Sequence, residues 1–342
     1  MKALKYIVSA VAMLPLSISA QNTGEGSTSA YNFLDITPSA HIYGLGGINI
    51  TTVDDDINSI GQNPALLGPE FDFQIGFNYM RYIGGSNFTG LTTGGRATDR
   101  SGWAATVQYF GYGEMKETDA GGNILGSFSP KDIAIGGMYS HDITDRLRGG
   151  IAIRMLYSSY AEYSAMALAT DLGLNYYDSE RDLSLSLVVA NLGGQVKRFT
   201  DRYDRLPVDI RLGWSKSFAN LPIRFSVTAW NLTKWKLPYY DAGDGSAGSV
   251  MTLKDSFSSN LFRHLVFAAD FIPSDRFNIG IGYNYKTRTD MSTYSRSFLS
   301  GFSIGAGLKV SNFKLGIAYA QPHTGASTFM LNISTNLYDF RN

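Results

Sequence analysis

Several kinds of residue are absent or scarce in this 342-residue chain. It contains no cysteine, which excludes disulfide bonds, thiolate zinc sites, a cysteine nucleophile and a lipid-modified N-terminal cysteine. Only 17% of the residues are charged, against roughly 25% in an ordinary soluble domain. The net charge is +0, so no long-range attraction to nucleic acid is expected. After residue 20 there is no run of about 18 apolar residues, so no transmembrane helix is predicted there.

The first twenty residues have the pattern of an export signal. Lys2 and Lys5 form a positively charged start, "YIVSAVAMLPLSI" is a short apolar stretch, and small residues precede Gln21 at a cleavage position. A buried N-terminal helix is the alternative. We therefore predict a signal peptide over 1–20 and an N-terminal leader over 21–70, before the first strand.

The rest of the chain is rich in aromatic residues and glycine, arranged with a period of two. Over 277–285, "FNIGIGYNY", apolar side chains alternate with Asn and Gly. Such alternation predicts strands with one apolar face, and clusters of Gly, Asp and Asn mark turns between them. The predicted strands number about fourteen and lie near 71–82, 86–97, 102–118, 131–141, 147–163, 166–178, 182–196, 207–218, 222–235, 262–273, 277–291, 298–310, 313–322 and 328–337.

The second face of these strands distinguishes a water-soluble sheet from a membrane barrel. It consists mainly of Gly, Ser, Asn, Thr and Ala rather than Lys and Glu, as in "DLSLSLVVANLGG" at 182–194. Many segments reach the roughly 9–11 residues of a tilted membrane strand, and aromatics gather at segment ends as in interfacial girdles. The sequence predicts an all-β fold, a transmembrane antiparallel β-barrel over 71–342. A secreted β-sandwich is the alternative.

No stretch carries a complete catalytic or metal-binding pattern. "DDDIN" at 54–58 begins like a calcium loop of the EF-hand type, but Ser59 and Ala65 stand where such a loop needs Gly and Glu. The four histidines are far apart along the chain, and a lone histidine is more often structural than catalytic. The sequence therefore predicts no catalytic residue, no metal and no cofactor, and a protein that is not an enzyme.

Residues 45–67 have no strand rhythm of their own. "GLGG" and "DDDINSIGQNPALL" resemble the N-terminal region of FadL-like outer-membrane barrels, which combines Gly-Gly, an acidic pair and Asn-Pro-Ala. The resemblance implies that this part of the leader folds into the lumen as a hatch. Pairing of its acids with lumenal arginines, and a short helical turn at 65–67, would suit that role; an ordinary soluble-side leader is the alternative. The matching positions are Gly46, Gly47, Asp54, Asp55, Asp56, Asn63, Pro64 and Ala65.

A narrower resemblance runs from about Tyr31 to the end of the chain. "YNFLDITPSAHIYGLGG", "LPVDIRLGWSKSF", "RHLVFAADF" and "IGIGYNYKTR" followed by "GFSIGAGLKV" are similar to the PorQ family, barrels of the type IX secretion system of the Bacteroidota. The resemblance implies an outer-membrane export component beside a PorV-like barrel. It would anchor a PorZ-like surface protein in an attachment complex that also contains a PorU-like sortase. The end "LYDFRN" departs from barrels whose last residue is aromatic.

A docking role of this kind would use the outer loops and the rim. The connection 236–261 is the first candidate, because aromatics and Met are enriched at interface cores; a mobile loop is the alternative. A second function also stays open, FadL-type transport of hydrophobic small molecules, and the glycine-rich stretch 298–307 would allow the kinked strand wall that it needs. The candidate docking residues are Tyr239, Tyr240, Met251 and Phe257.

Overall fold

A closed β-barrel is the main body of the protein. The computed structural model describes residues 30–218, 221–241, 251–290, 299–323 and 325–340. The predicted signal peptide, the start of the leader and positions 242–250 of the long connection lie outside these ranges. Within them, fourteen antiparallel strands close into a barrel in which the first strand pairs with the last. The fold class predicted from the sequence is confirmed.

The elements follow one another along the chain with few helices among them. The strands are β1 Gln74–Arg81, β2 Asn87–Thr98, β3 Ser101–Gly111, β4 Met115–Thr118, β5 Ile124–Phe128, β6 Lys131–Asp142, β7 Leu147–Tyr160, β8 Tyr163–Asp178, β9 Leu183–Lys197, β10 Asp209–Phe218, β11 Leu221–Ala229, β12 Tyr239–Asp241, β13 Thr252–Lys254, β14 Leu265–Ser274, β15 Phe277–Asn284, β16 Phe302–Val310, β17 Phe313–His323 and β18 Ala326–Asn336. The α-helices are α1 Ala40–Gly44, α2 Phe257–Arg263 and α3 Tyr285–Asp290, and the 3₁₀ turns are η1 Asn32–Asp35, η2 Ile57–Gln62, η3 Pro64–Leu66, η4 Pro69–Phe71, η5 Ile83–Gly85 and η6 Leu337–Phe340.

Two hairpins, β4–β5 and β12–β13, stand apart from the barrel sheet. Each lies within a long connection between two barrel strands. No helix among the described residues is long and apolar enough to cross a membrane.

The barrel strands turn an apolar face outward and a face of small and polar residues inward. In β11, for example, Phe225 is 42% exposed, whereas Ser226 and Thr228 are buried. This alternation follows from the two-residue period of an extended strand. Outward aromatics occur near both ends of the strands, including Trp103, Phe277, Phe313, Tyr79, Tyr157 and Tyr163.

The connections sort by length onto the two ends of the barrel. Because neighbouring strands are antiparallel, every second connection lies at the same end. One end, here called the turn end, has short turns such as 99–100, 143–146 and 275–276. The opposite end, the loop end, carries the long connections, including 112–130 and 230–264. The asymmetry expected for an outer-membrane barrel is therefore present.

Three strands end earlier than the sequence predicts. The segment 102–118 stops with β3 because the chain leaves the barrel near Gly113, whose φ is 83°. The segment 222–235 stops with β11, shortly before a left-handed asparagine at 231 (φ 56°). The segment 277–291 stops with β15, since α3 follows at once. A prediction based only on hydrophobic alternation does not detect these local turns.

Candidate functional site in the barrel lumen

Residues 30–73, here called the N-terminal segment, lie against the inner face of the barrel. Ile42, Ile50 and Ile57 in this segment are completely buried. Helix α1 contacts β15 to β18, whereas η3 contacts β6 to β8. The segment therefore crosses the lumen from one wall to the opposite wall before it enters β1.

Glycines allow the backbone of the segment to approach the wall closely. Gly46 and Gly47 follow α1 with φ values of 100° and 83°, a region that glycine adopts without steric cost. Opposite them lies Gly282 of β15, where an added Cβ would come within 2.1 Å of the Gly46 nitrogen. A Cβ on Gly173 would likewise lie 2.2 Å from Asn63 Oδ1. Glycine in the strands thus makes room for the segment.

The Asn-Pro-Ala motif forms a capped turn. Asn63 Oδ1 accepts a hydrogen bond from the Ala65 amide at 2.9 Å, and Asn63 Nδ2 donates to the Ile50 carbonyl at 2.8 Å. Pro64 occupies the first position of η3, where its missing N–H costs nothing. The short helical turn predicted near 65–67 is present, and it starts one residue earlier.

Replacing Asn63 with alanine is expected to lower the free energy of unfolding by about 2–3 kcal/mol, since a cap contributes about 1 kcal/mol and a buried unpaired carbonyl costs about 1–3 kcal/mol. Asn63→Ser retains a capping oxygen and should recover about 1 kcal/mol of this loss. Guanidinium unfolding of the purified protein in detergent measures both values. Equal stability of the alanine variant and the wild type would contradict the assignment.

The three acids of the motif contact three different kinds of partner. Asp54 Oδ2 lies 2.8 Å from His41 Nδ1. Asp55 forms an ion pair with Lys314 at 2.6 Å. Asp56 accepts hydrogen bonds from Asn58 and from Asn332 of β18. The prediction that these acids form ion pairs with lumenal arginines is therefore wrong.

Lumenal arginines also pair with aspartates of the barrel wall. Arg154 pairs with Asp171, and Arg211 pairs with Asp209 at 2.9 Å. The members of each pair lie on the same strand or on neighbouring strands, so strand pairing alone brings them together. Two other acids of the segment do pair with arginine, Asp35 with Arg211 and Glu70 with Arg148. The three acids of the motif meet histidine, lysine and asparagine instead.

His41 connects the N-terminal segment to the wall. Its Nε2 donates to Asp270 Oδ2 at 2.7 Å, and the same oxygen accepts from Arg224 at 2.8 Å. Burial by itself would lower the pKa of His41, but the charges and hydrogen bonds of Asp270 and Asp54 overcome this effect and raise the pKa to about 10. The ring is therefore an imidazolium at neutral pH, with both nitrogens donating.

This cluster predicts a specific dependence of stability on pH. Because the pKa of folded His41 lies above its ordinary value of 6.5, its contribution is complete below about pH 6.5 and is lost as the pH rises toward 10. His41 also lowers the pKa of Asp54, against the opposing effect of burial, so that contribution is lost as the pH falls below the ordinary carboxyl range. Guanidinium midpoints at pH 6, 8 and 10 should fall steadily for the wild type. They should fall much less for His41→Gln, and parallel curves for the two proteins would contradict the cluster's charge state.

The candidate docking residues lie in the long connection at the loop end. Tyr240, Met251 and Phe257 are 62%, 56% and 69% exposed. Tyr239 is more enclosed, with its hydroxyl 3.0 Å from that of Tyr285 in α3. The structure brings the four residues to one end of the barrel, and their docking role stays a prediction.

Comparison with known proteins shows which solved structures share this architecture. No protein-family model matches the chain, and no curated protein matches it. Among solved structures, the toluene transporter TodX of Pseudomonas putida matches at a TM-score of 0.52 and 12% identity, over 87% of this chain and 97% of TodX. A FadL homologue of Pseudomonas aeruginosa matches at a TM-score of 0.50 and 12% identity, over 88% of this chain and 98% of the homologue. The chain has the fold of the FadL-type outer-membrane barrels.

A variant of TodX, described as a monoaromatic hydrocarbon channel, also matches, at a TM-score of 0.54 and 11% identity, over 87% of this chain and 99% of the variant. At these identities the likeness is one of fold. The roles of individual residues must therefore be inferred from the contacts within the lumen of this chain.

Proposed function

We propose that this protein is an outer-membrane transporter of hydrophobic small molecules, with the N-terminal segment as its hatch. The observation that carries the proposal is an apolar layer inside the loop end of the lumen. Phe33 and Leu34 of η1 are buried in this layer. The wall contributes Met80, Phe88, Phe110, Leu156 and Met330.

An apolar layer of this kind suits an apolar ligand once the segment withdraws. Phe33 and Leu34 belong to the segment rather than to the barrel, so their movement would expose the inward apolar side chains of the wall. Burial of apolar area drives the binding of apolar ligands. The fold neighbour TodX is named as a toluene transporter, which agrees with this class of substrate.

The location that we propose is the outer membrane, reached through a cleaved signal peptide over 1–20. The apolar outward face and the separation of short turns from long loops support a barrel in a bilayer whose loop end faces outward.

Uptake by cells that lack the protein tests transport directly. Cells expressing the wild type should accumulate radiolabelled toluene or oleate faster than cells with an empty plasmid. Leu156→Asn places an amide in the apolar layer and should abolish the difference in uptake. Asn32→Ala changes an exposed residue next to Phe33 and should retain the difference. Equal uptake with and without the protein, at equal amounts of barrel in the membrane, would overturn the proposal.

A second candidate is an anchor of the type IX secretion system, favoured by the exposed Tyr240, Met251 and Phe257 at the loop end together with the sequence resemblance. In this function the loop end would hold a PorZ-like surface protein, in one complex with a PorU-like sortase and a PorV-like barrel. Affinity purification from the native membrane in mild detergent, followed by mass spectrometry, tests it. Co-purification of such partners, lost on deletion of 241–258, would support anchoring. A bare barrel that contains apolar ligands would favour transport.

A further inference from the structure

A carboxylate that has no basic partner among the described residues is buried in the lumen near the loop end. Asp132, the second residue of β6, is 1% exposed. Its Oδ2 accepts hydrogen bonds from the hydroxyls of Tyr112 at 2.7 Å and Tyr160 at 2.9 Å. Its Oδ1 is also buried and has no hydrogen-bond partner among the residues that the structure describes.

The other inward aspartates of the wall are compensated. Asp171, Asp209 and Asp270 each form an ion pair with an arginine. Within the described ranges, Asp132 forms no ion pair with a lysine, an arginine or a histidine. A buried carboxylate is costly unless a positive charge or further hydrogen bonds compensate it. Asp132 therefore lacks the compensating positive charge that the other three aspartates have.

A row of aromatic rings leads to this carboxylate from the loop end. Ring centroids are 4.7 Å apart for Phe110 and Tyr112, 5.6 Å for Tyr112 and Tyr160, and 5.3 Å for Tyr160 and Phe199. Phe110 lies directly opposite Asp132 in the β3–β6 register. Tyr112, Tyr160 and Phe199 are only half-buried, so a small molecule can reach the rings from solution.

Tyr31 of the N-terminal segment lies close enough to Asp132 to be affected by its charge. Burial raises the pKa of Tyr31, and the negative charges of Asp132 and Asp204 raise it further, against a lowering by the hydrogen bond from Gln195. That hydrogen bond joins Gln195 Nε2 to the Tyr31 hydroxyl at 3.1 Å. The surroundings of the rings are therefore electronegative.

We propose that Asp132, Tyr112, Tyr160 and Phe199 form a binding site for the ammonium group of a small organic amine. Aromatic faces and a carboxylate together attract an alkyl ammonium through cation–π and charge-assisted hydrogen bonds. One ammonium hydrogen would bond to the free Asp132 Oδ1. The inference does not depend on transport or docking, because none of the four residues of the site is among those that carry these proposals.

A metal ion fits this site less well than an ammonium group. Calcium takes about 6–8 oxygen ligands, and magnesium requires near-ideal octahedral geometry. The site offers one carboxylate and two hydroxyls, which already donate toward that carboxylate. Within the described part of the chain, no group of three or more His, Cys, Asp or Glu is arranged to hold a metal ion.

Calorimetric titration of the full-length protein in non-ionic detergent tests the site. We expect saturable binding of n-butylammonium chloride, and no comparable binding of n-butanol, which has the shape without the charge. Sodium chloride at the same ionic strength should give no comparable binding. No saturable binding of the amine, or equal binding of butanol or sodium, would overturn the proposal.

Variants identify the residues that bind the amine. Asp132→Asn should weaken binding at least about tenfold, the effect of losing a charge-assisted hydrogen bond, while Asp201→Asn, a surface change at the same end, should leave it unchanged. Tyr160→Phe retains the ring and removes one hydroxyl, and a weakening of a few fold is expected. If Asp132→Asn fails to fold, Tyr160→Phe and Phe199→Leu still test the proposal. Undiminished binding of the amine by both variants would overturn it.

Discussion

Replacing Gly282 with valine is expected to keep the N-terminal segment from packing in the lumen. A Cβ at this position of β15 would lie 2.1 Å from both the Gly46 nitrogen and the Leu45 carbonyl carbon. These are backbone atoms, so rotation of a side chain cannot relieve the overlap. Overpacking costs about 1–3 kcal/mol and sometimes more, and we expect a loss of about 3 kcal/mol or more here, because the contact joins two backbones.

Proteolysis and unfolding together measure this effect. Chymotrypsin should cleave the N-terminal segment at Tyr43 and Phe71 in the Gly282→Val protein under conditions that leave the wild type intact. Gly137→Val is the matched control, since its Cβ would face outward from β6 with its nearest neighbour 3.9 Å away. This control should stay resistant and lie within about 1 kcal/mol of the wild type. Resistance of the Gly282 variant would show that the segment does not need this close approach.

Replacing Asp270 with alanine is expected to destabilise the protein by about 3–5 kcal/mol, the cost of removing one partner from a buried ion pair. The change removes the carboxylate that His41 and Arg224 share and leaves these two groups buried. Arg224 also donates to the Val53 carbonyl at 3.3 Å, so the disturbance should reach the segment as well as the wall. Guanidinium unfolding at pH 7 measures the loss.

A double-mutant cycle shows whether His41 and Asp270 act as a pair. His41→Gln with Asp270→Asn replaces two charges by two amides of similar size, and this double variant should be more stable than Asp270→Asn alone. The coupling should be greatest near pH 7 and should shrink at pH 10, where His41 is close to its pKa of about 10. Additive effects of the two changes would contradict a direct interaction.

Much of the barrel could be predicted because strand patterns are local. The apolar side chains of 277–285 recur at every second position, and β15 turns Phe277, Ile279 and Ile281 outward. The turn residues of such a pattern are local as well, which is why the order and number of the barrel strands agree with the prediction. Its errors, at Gly113, Asn231 and α3, fall where a single left-handed residue or a short helix interrupts the alternation.

Only part of the structure of the N-terminal segment could be predicted from the sequence. The short helical turn at 65–67 could be predicted because its signals are local, whereas the cap supplied by Asn63 was seen only in the structure. The partners of Asp54, Asp55 and Asp56 could not be predicted, since opposite charges anywhere along the chain are equally plausible before the chain folds.

The sequence by itself determined an outward apolar face, an inward face of small residues, and a chain of many paired strands, because a period of two depends on neighbouring residues alone. Tertiary structure decided what the lumen contains. His41 meets Asp270 across 229 positions of sequence, and Asp132 pairs with no basic side chain of the described ranges while Asp171 pairs with Arg154. These contacts depend on how the barrel closes and on where the N-terminal segment crosses it, and neither leaves a repeating pattern along the chain.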